Sequence, residues 1–363
     1  MLDALQHLSR CWDPASCGVL ATVVDQEGSA PLEVGTSMTV DAAGRPHGSI
    51  SGGCVDGDVY ETALDVLRSG RPVLRRYGPG GSPFAASLTC GGSVEVLVHR
   101  VDPDSPLRSG SWADAGRARS AVAVTLRGDR AAVLAEVGST RWGTLGDQAL
   151  DDAVLRDHES GPHSYAGASG PVRVFVWAAP PPPRLLLVGA NAVTAALSRL
   201  GAELGYLVTV CDQREVFTGP SAFPAAEEVV VQWPHRYLEA EAAGGRIDDR
   251  TVICVLTHDE RVDAPTLRTA LRLNAVGYVG AMGSRTTHHD RVRRLGALGV
   301  TAPELSRLSS PIGLDLGART PAEIALSILA EVTAVRTAAS GRPLTTRTGP
   351  IHAAADPRSA CSA

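Results

Sequence analysis

The chain has 363 residues and a mass of 37.7 kDa, with 44% hydrophobic and 20% charged residues and a formal net charge of -5. This composition is typical of a globular protein of about two or three domains, and the acidic balance argues against nucleic acid as a partner. All 34 basic residues are arginines, which excludes a P-loop lysine, a Schiff-base lysine and a lysine general base. Neither a membrane-spanning apolar stretch nor a signal peptide is recognisable, so we expect a cytoplasmic protein without a membrane anchor.

The N-terminal half is predicted to contain few helices. The spacing of its apolar residues indicates helices at residues 2–12 and 55–67. Runs rich in β-branched residues predict strands of a mixed sheet at residues 18–24, 93–101, 120–126 and 172–177. Four consecutive prolines then interrupt any helix or central strand. The sequence therefore predicts an α+β domain over residues 1–179 and a proline-rich linker over residues 180–184.

The pattern after the linker alternates between strands and helices. Strands are predicted at residues 185–189, 207–212, 229–231, 251–256 and 277–280, and helices at residues 192–204, 264–273, 286–298 and 321–336. Such alternation is typical of a parallel sheet with right-handed crossovers. The chain is therefore predicted to be α/β, with a C-terminal Rossmann-like domain over residues 185–337. Residues 338–363 lack periodicity and are predicted to be a disordered tail.

The turn after the first C-terminal strand occupies the position of a dinucleotide-binding fingerprint. Gly189 fits that fingerprint, but Asn191 and Thr194 stand where its second and third glycines would be. Asp212 ends the next strand, where an acid binds a ribose or merely caps a turn. Because the two side chains crowd a pyrophosphate, we expect NAD or NADP to bind weakly.

Two later segments also follow predicted strands of this sheet. Gly283, Ser284 and Arg285 precede a helix, so backbone N–H groups, a hydroxyl and a guanidinium can converge on an anion. The simpler interpretation is a glycine turn with Ser284 as the helix cap. His258 lies at the carboxyl edge of the sheet, where it is a proton donor, a phosphate contact or a surface residue.

Glycine-rich turns carry two of the seven cysteines, which are most simply reduced thiols. Cys54 precedes a helix, whose positive end favours the thiolate, and Cys90 precedes a strand. Two such thiols handle sulfur, bind a soft metal or pack as small core residues. Zinc is disfavoured because its other ligands would be scattered histidines such as His47 and His99. The candidate residues of this half are Ser29, Ser51, Gly52, Gly53, Cys54, Cys90, Gly91 and Gly92.

The start of the last predicted helix has a strong local signal. Thr320 followed by proline and then Glu323 is typical of a capping box. Asp315 and Arg319 precede it and are predicted to form an ion pair that positions the helix. Both features indicate a structural role, and the alternative for this segment is that it lines a binding cleft.

Taken together, these segments resemble the xanthine dehydrogenase accessory factor family, XdhC/CoxI. The resemblance rests on the glycine turns around Ser29, Cys54 and Cys90 and on residues 278–285 and 311–325, the last of which is long enough to be highly specific. It implies a chaperone that binds molybdenum cofactor (molybdopterin) as cargo, assists its sulfuration and inserts it into a molybdenum hydroxylase such as xanthine or carbon monoxide dehydrogenase. It also implies a cysteine desulfurase partner and a homodimer.

Two other classes of function remain open from the residues alone. One is an NAD(P)-dependent oxidoreductase that uses the C-terminal domain, and the missing glycines at positions 191 and 194 count against it. The other is a protein–protein adaptor with a degenerate site. We expect a cofactor-insertion chaperone rather than a turnover enzyme.

Overall fold

The computed structural model describes residues 1–28, 33–79, 92–109, 112, 115, 118–156, 159–168, 170–346 and 348. The chain divides into two compact units, of which the first comprises Met1–Pro181 and the second begins at Pro182. The division falls inside the run of four prolines, where one strand ends at Ala179 and the next begins at Arg184.

The first unit is built mainly from strands. Its helices are α1 (Leu2–Cys11), α2 (Asp56–Ser69), α3 (Pro106–Ser109) and α4 (Gln148–Leu155). Its strands are β1 (Gly18–Glu27), β2 (Ser37–Val40), β3 (Pro46–Gly48), β4 (Val73–Tyr77), β5 (Ser93–Val101), β6 (Ser120–Thr125), β7 (Val133–Val137), β8 (Thr140–Gly143), β9 (Gly161–Gly167) and β10 (Gly170–Ala179).

These strands form two sheets rather than one mixed sheet. The strand orders are β3-β2-β1-β5-β4 and β8-β7-β6-β10-β9, and every neighbouring pair is antiparallel. The prediction of a mixed sheet is therefore wrong. Strands such as β3 and β8 are short and mostly exposed, so they carry no apolar run that a sequence pattern detects.

Alternation along the strands lets the first unit bury three apolar layers. Val19, Ala21 and Val23 of β1 pack with helix α2. Leu20 of the same strand points to the opposite face and joins a core shared with α1 and the second sheet. Helix α4 covers the remaining face of that second sheet.

The second unit alternates strands and helices around one sheet. Its strands are β11 (Arg184–Val188), β12 (Leu207–Asp212), β13 (Glu228–Val231), β14 (Val252–Val255), β15 (Tyr278–Ala281) and β16 (Leu308–Ser309). Its helices are α5 (Ala192–Glu203), α6 (Pro234–Ala243), α7 (Glu260–Arg272), α8 (Arg285–Ala297), α9 (Ala302–Leu305) and α10 (Pro321–Arg336). The strand order is β13-β12-β11-β14-β15-β16 and every pairing is parallel. This confirms the predicted α/β class and the Rossmann-like C-terminal sheet.

Helix α10 begins as its sequence predicts. The Thr320 hydroxyl accepts a hydrogen bond from the Glu323 N–H, and the Glu323 carboxylate accepts one from the Thr320 N–H at 2.8 Å. The predicted ion pair between Asp315 and Arg319 does not form. Gly317 between them adopts a φ of +67°, which turns the chain, and the Arg319 backbone N–H instead donates to Glu323 at 2.9 Å.

Helix α7 begins at Glu260, four residues before its predicted start, because Asp259 caps it there. Pro265, which lies near the predicted start, is inside the helix. No helix in the described ranges is long and apolar enough to cross a membrane. Most of the tail predicted to be disordered, residues 347 and 349–363, lies outside the described residues.

Candidate functional site

A partly buried hydrogen-bond network organises the glycine-rich loop before α2. The Asp56 carboxylate accepts hydrogen bonds from the Ser49 hydroxyl at 2.6 Å, from the backbone N–H groups of Ile50 and Ser51 at 3.0 Å, and from the Ser51 hydroxyl at 2.9 Å. Burial alone would raise the pKa of Asp56, but these bonds outweigh it and hold the pKa below its ordinary value. Ser51 is thus a loop-stabilising residue. Asp56, the first residue of α2, is the acceptor at the centre of this hydrogen-bond network, and the sequence pattern does not single it out.

Gly52 and Gly53 form the open tip of this loop. Their φ angles are +68° and +115°, and among the residues that the structure describes no atom outside the neighbouring residues lies within 4 Å of where a Cβ would be placed. Left-handed backbone with free space on its side-chain face leaves room for a ligand to approach closely. Cys54 follows the tip, two residues before α2 begins, and its half-buried side chain packs partly against the α2 core. Its role as a reactive thiol stays a prediction.

The other candidates of the first unit are not brought to this loop by any described contact. Ser29, Cys90 and Gly91 lie outside the described residues, and Gly92 is buried just before β5. Among the residues that the structure describes, no group of three or more His, Cys, Asp or Glu side chains is placed to hold a metal ion.

The start of α5 in the second unit is occupied by its own side chain. The Asn191 Oδ1 accepts hydrogen bonds from the backbone N–H groups of Val193 at 2.9 Å and Thr194 at 3.0 Å. The Asn191 Nδ2 also donates to the Leu256 carbonyl at 3.0 Å, which ties α5 to the end of β14. A pyrophosphate at this helix would have to displace Asn191 from the N–H groups that normally bind it.

Asp212 is equally occupied. It is 2% exposed, and its two carboxylate oxygens accept from the Ala190 N–H at 2.7 Å and from the backbone N–H, Nε and Nη2 of Arg214 at 2.7 to 2.9 Å. Burial would raise the pKa of Asp212, but the bonds from Arg214 and Ala190 hold it below its ordinary value. Four donors fill the four lone pairs of a carboxylate. In this arrangement Asp212 stabilises the turn at Gly189 rather than offering a free acceptor to a ribose.

Gly189 itself is required by close packing. Its φ is +102°, and a Cβ at this position would lie 3.1 Å from the Thr257 nitrogen. The glycine therefore allows the turn after β11 to approach the loop after β14. This explains its presence without a bound dinucleotide.

A polar cavity of about 320 Å³ opens between the starts of α7 and α8. It brings together two of the predicted residues, His258 and Ser284, which lie in the loop after β14 and at the cap of α8. Gly283 and Arg285 adjoin Ser284 in the chain but do not line the cavity. The full lining consists of His258, Glu260, Asp263, Ala264, Ser284, Thr286, Thr287, Asp290, Arg291 and Arg294.

The start of α8 keeps open hydrogen-bond donors beside this cavity. The Ser284 hydroxyl accepts from the Thr287 N–H at 3.1 Å and so caps the helix. The backbone N–H groups of Arg285 and Thr286 have no acceptor within the described part of the chain. Two free N–H groups at the positive end of a helix of 13 residues form an anion-binding arrangement, and the exposed Arg285 adds charge on the same turn.

A buried acid and a buried arginine form one wall of the cavity, and the sequence pattern singles out neither. Arg291 is 4% exposed and donates to the Met282 carbonyl at 2.7 Å and to the Ser310 hydroxyl at 2.8 Å. Its contact with the Asp263 carboxylate is longer, at 3.3 Å. Burial raises the pKa of Asp263, although Arg291 and the Thr257 hydroxyl act against the rise. Asp263 lies in the first turn of α7, where an acid is also typical of a helix on the surface. The sequence therefore does not distinguish this buried acid from an ordinary exposed one.

Comparison with known proteins gives consistent matches along the chain. A family model described as the XdhC Rossmann domain matches residues 185–332, and one described as the XdhC and CoxI family matches residues 11–78. The chain is 29% identical to the molybdenum cofactor insertion chaperone PaoD of Escherichia coli, over 88% of this chain and 83% of that protein. It is also 29% identical to a Bacillus subtilis protein described as a probable xanthine dehydrogenase subunit, over 93% of this chain and 96% of that protein.

A solved structure supports the fold. It is described as a xanthine dehydrogenase from Bacillus halodurans, and it covers 95% of this chain and 97% of its own, with a TM-score of 0.68 and 22% identity. The resemblance inferred from the glycine turns and from residues 311–325 is confirmed by the two family models. The chain belongs to the XdhC and CoxI family.

Proposed function

We propose that this chain is an accessory protein that binds molybdenum cofactor as cargo, assists its sulfuration and inserts it into a client molybdenum hydroxylase. Support for this class comes from the names of two relatives that match nearly the whole chain, one a molybdenum cofactor insertion chaperone and the other a probable component of xanthine dehydrogenase. A cysteine desulfurase as sulfur donor and a homodimeric state belong to the same proposal.

The observation that carries the proposal is the open start of α8 beside the cavity. Molybdopterin has a phosphate tail and a polar pterin, so it calls for N–H donors at a helix N-terminus and a cavity with polar walls. The free N–H groups of Arg285 and Thr286 and the hydroxyl of Thr286 meet the first need, and the cavity of about 320 Å³ meets the second. At α5 the equivalent donors are already taken by Asn191.

The loop at Gly52 and Gly53 is a second element suited to the cargo chemistry. It offers open backbone followed by the thiol of Cys54, and a thiol is a ligand suited to soft metals and to sulfur exchange. We infer that Cys54 takes part in handling the cofactor or its sulfur. The alternative of an NAD(P)-dependent oxidoreductase is less well supported, because the side-chain oxygens of Asn191 and Asp212 already accept hydrogen bonds from the protein itself.

The proposal is tested by mixing the full chain with molybdenum cofactor under anaerobic conditions and separating the mixture by gel filtration. The pterin that co-elutes is then oxidised and measured by its fluorescence. We expect retention, and we expect Arg285→Ala to weaken it about fivefold, as for one exposed charged contact. Arg199→Ala, an exposed arginine on α5, is the matched control and should retain cofactor normally. If no pterin co-elutes with the unmodified protein, the proposal fails.

Delivery to a client is measured separately. Cofactor-loaded protein is added to a molybdenum hydroxylase purified without its cofactor, and the recovered hydroxylase activity is compared with that from free cofactor. Faster or fuller recovery supports insertion. Recovery that is no better than with free cofactor would contradict it.

A further inference from the structure

Asp263 differs from the other acids that line the α7–α8 cavity. Glu260 and Asp290 are each paired with an arginine, at 2.5 and 2.9 Å, and both side chains are open to water. Asp263 is 8% exposed, and its Oδ1 is buried without a hydrogen bond of normal geometry among the residues that the structure describes. A buried carboxylate with too few donors is unfavourable, so its presence calls for a further partner.

Arg291 does not fully supply that partner. Its guanidinium is fixed by the Met282 carbonyl and the Ser310 hydroxyl, and it reaches the Asp263 Oδ2 only at 3.3 Å. A carboxylate accepts about four hydrogen bonds, so Arg291 and the Thr257 hydroxyl leave part of the capacity of Asp263 unused. The Asp263 side chain keeps 12% of its surface exposed, and it borders the cavity.

We propose that Asp263 recognises a paired N–H edge of the aminopyrimidinone type, the edge that pterins and guanine share, in a ligand whose phosphate is held at the start of α8. This inference rests on the proposed function, because molybdopterin carries both groups. Two adjacent N–H donors in one plane match the two oxygens of a carboxylate, and rotation about the Cβ–Cγ bond of Asp263 is soft enough to present both. Arg291 then acts as a positioning residue behind the carboxylate.

The test uses two nucleotide probes that differ only at this edge. Guanosine monophosphate carries the exocyclic amino group and inosine monophosphate lacks it, while ribose and phosphate are the same. Calorimetry with the full chain is expected to give about tenfold tighter binding of the guanosine nucleotide, as for one hydrogen bond to a charged group. Asp263→Asn should bring this ratio close to one and leave binding of the inosine nucleotide little changed. A purely structural role for Asp263 would not alter the ratio.

Asp290→Asn is the matched control, since it removes another acid of the same cavity, and it should keep the preference. Ala264→Leu provides an independent variant, because it narrows the cavity and leaves the carboxylate intact; it should weaken binding of both nucleotides. A ratio near one in the unmodified protein, an unchanged ratio in Asp263→Asn, unchanged binding in Ala264→Leu, or no binding of either nucleotide would each overturn the inference.

These outcomes are separable from the proposed function. If molybdenum cofactor co-elutes but Asp263→Asn keeps the nucleotide preference, only the role of Asp263 is lost. If the preference depends on Asp263 but no cofactor is retained, the recognition site stands and the proposed function falls.

Discussion

His99 is expected to make the stability of the first unit depend on pH. It lies on β5, is 2% exposed, and its Nδ1 has no hydrogen-bond partner in the described ranges. Burial lowers its pKa from the ordinary 6.5 to about 4, so the ring is neutral when the protein is folded at neutral pH. In the unfolded chain the same ring is exposed to water and binds a proton near pH 6.5.

The direction of this pH dependence follows from which state, folded or unfolded, binds the proton. Below pH 6.5 the unfolded chain takes up a proton that the folded chain does not, so stability falls as the pH falls from 6.5 towards 4. The full difference corresponds to about 3 kcal/mol, and about 2 kcal/mol of it is lost between roughly pH 7 and pH 5. Carboxylates with lowered pKa, such as Asp56 and Asp212, lose their contribution only at lower pH. Within the first unit, whose shifted carboxylates have lowered pKa values, the interval above about pH 5 therefore reports mainly on histidine.

The assay is urea unfolding followed by tryptophan fluorescence at these two pH values. Four of the five tryptophans lie in the first unit, so the signal reports mainly on that unit. His99→Leu is expected to remove most of the difference of about 2 kcal/mol between the two pH values. His163→Gln, a half-buried histidine of the same unit, should keep it. Equal unfolding free energies at both pH values in the unmodified protein, or an unchanged difference in His99→Leu, would refute the reasoning.

Two further predictions concern the loop before α2. Asp56→Asn weakens four hydrogen bonds to a charged acceptor, so we expect thermal melting to show a loss of about 2 kcal/mol in the free energy of unfolding. Asp65→Asn, at an exposed position of α2, is the control and should have little effect. An unchanged melting temperature in Asp56→Asn would contradict this prediction. Cys54→Ser is expected to lower cofactor retention, whereas Cys11→Ser, at an exposed cysteine, is not. If Cys54 is alkylated no faster than a thiol of the denatured chain and Cys54→Ser still retains cofactor, the role of Cys54 is packing alone.

The second unit was the more predictable part of the fold. Strands β11, β12, β14 and β15 are short, mostly buried apolar runs, and their alternation with helices predicts a parallel sheet from the sequence alone. The capping box at Thr320 and Glu323 is likewise a local signal and was found correctly. Helix α6 was missed, because it begins without a side-chain cap and its first turn contains no acid. Short exposed strands such as β3 are not predictable either, because they contain no buried apolar run.

The candidate site was predictable only where chemistry follows a strand. His258 and Ser284 each lie three residues after the end of a β-strand, and both line the cavity. Asp263 and Arg291 lie on two different helices, 28 residues apart, and in sequence each looks like an ordinary charge on a helix surface. Their burial arises from the packing of α7 against α8, which no local pattern encodes.

Weak binding of nicotinamide dinucleotides can be tested at Asn191. In the folded protein its side chain holds the N–H groups of Val193 and Thr194, so a pyrophosphate must replace two hydrogen bonds to gain two others. In the unmodified protein we expect calorimetry to show no saturation at micromolar NAD. Asn191→Gly frees these N–H donors and should strengthen NAD binding about tenfold. Adding Thr194→Gly should instead reduce stability, because the fully buried Thr194 hydroxyl donates to the Gly189 carbonyl. Saturation of the unmodified protein at micromolar NAD would overturn this argument and favour an oxidoreductase.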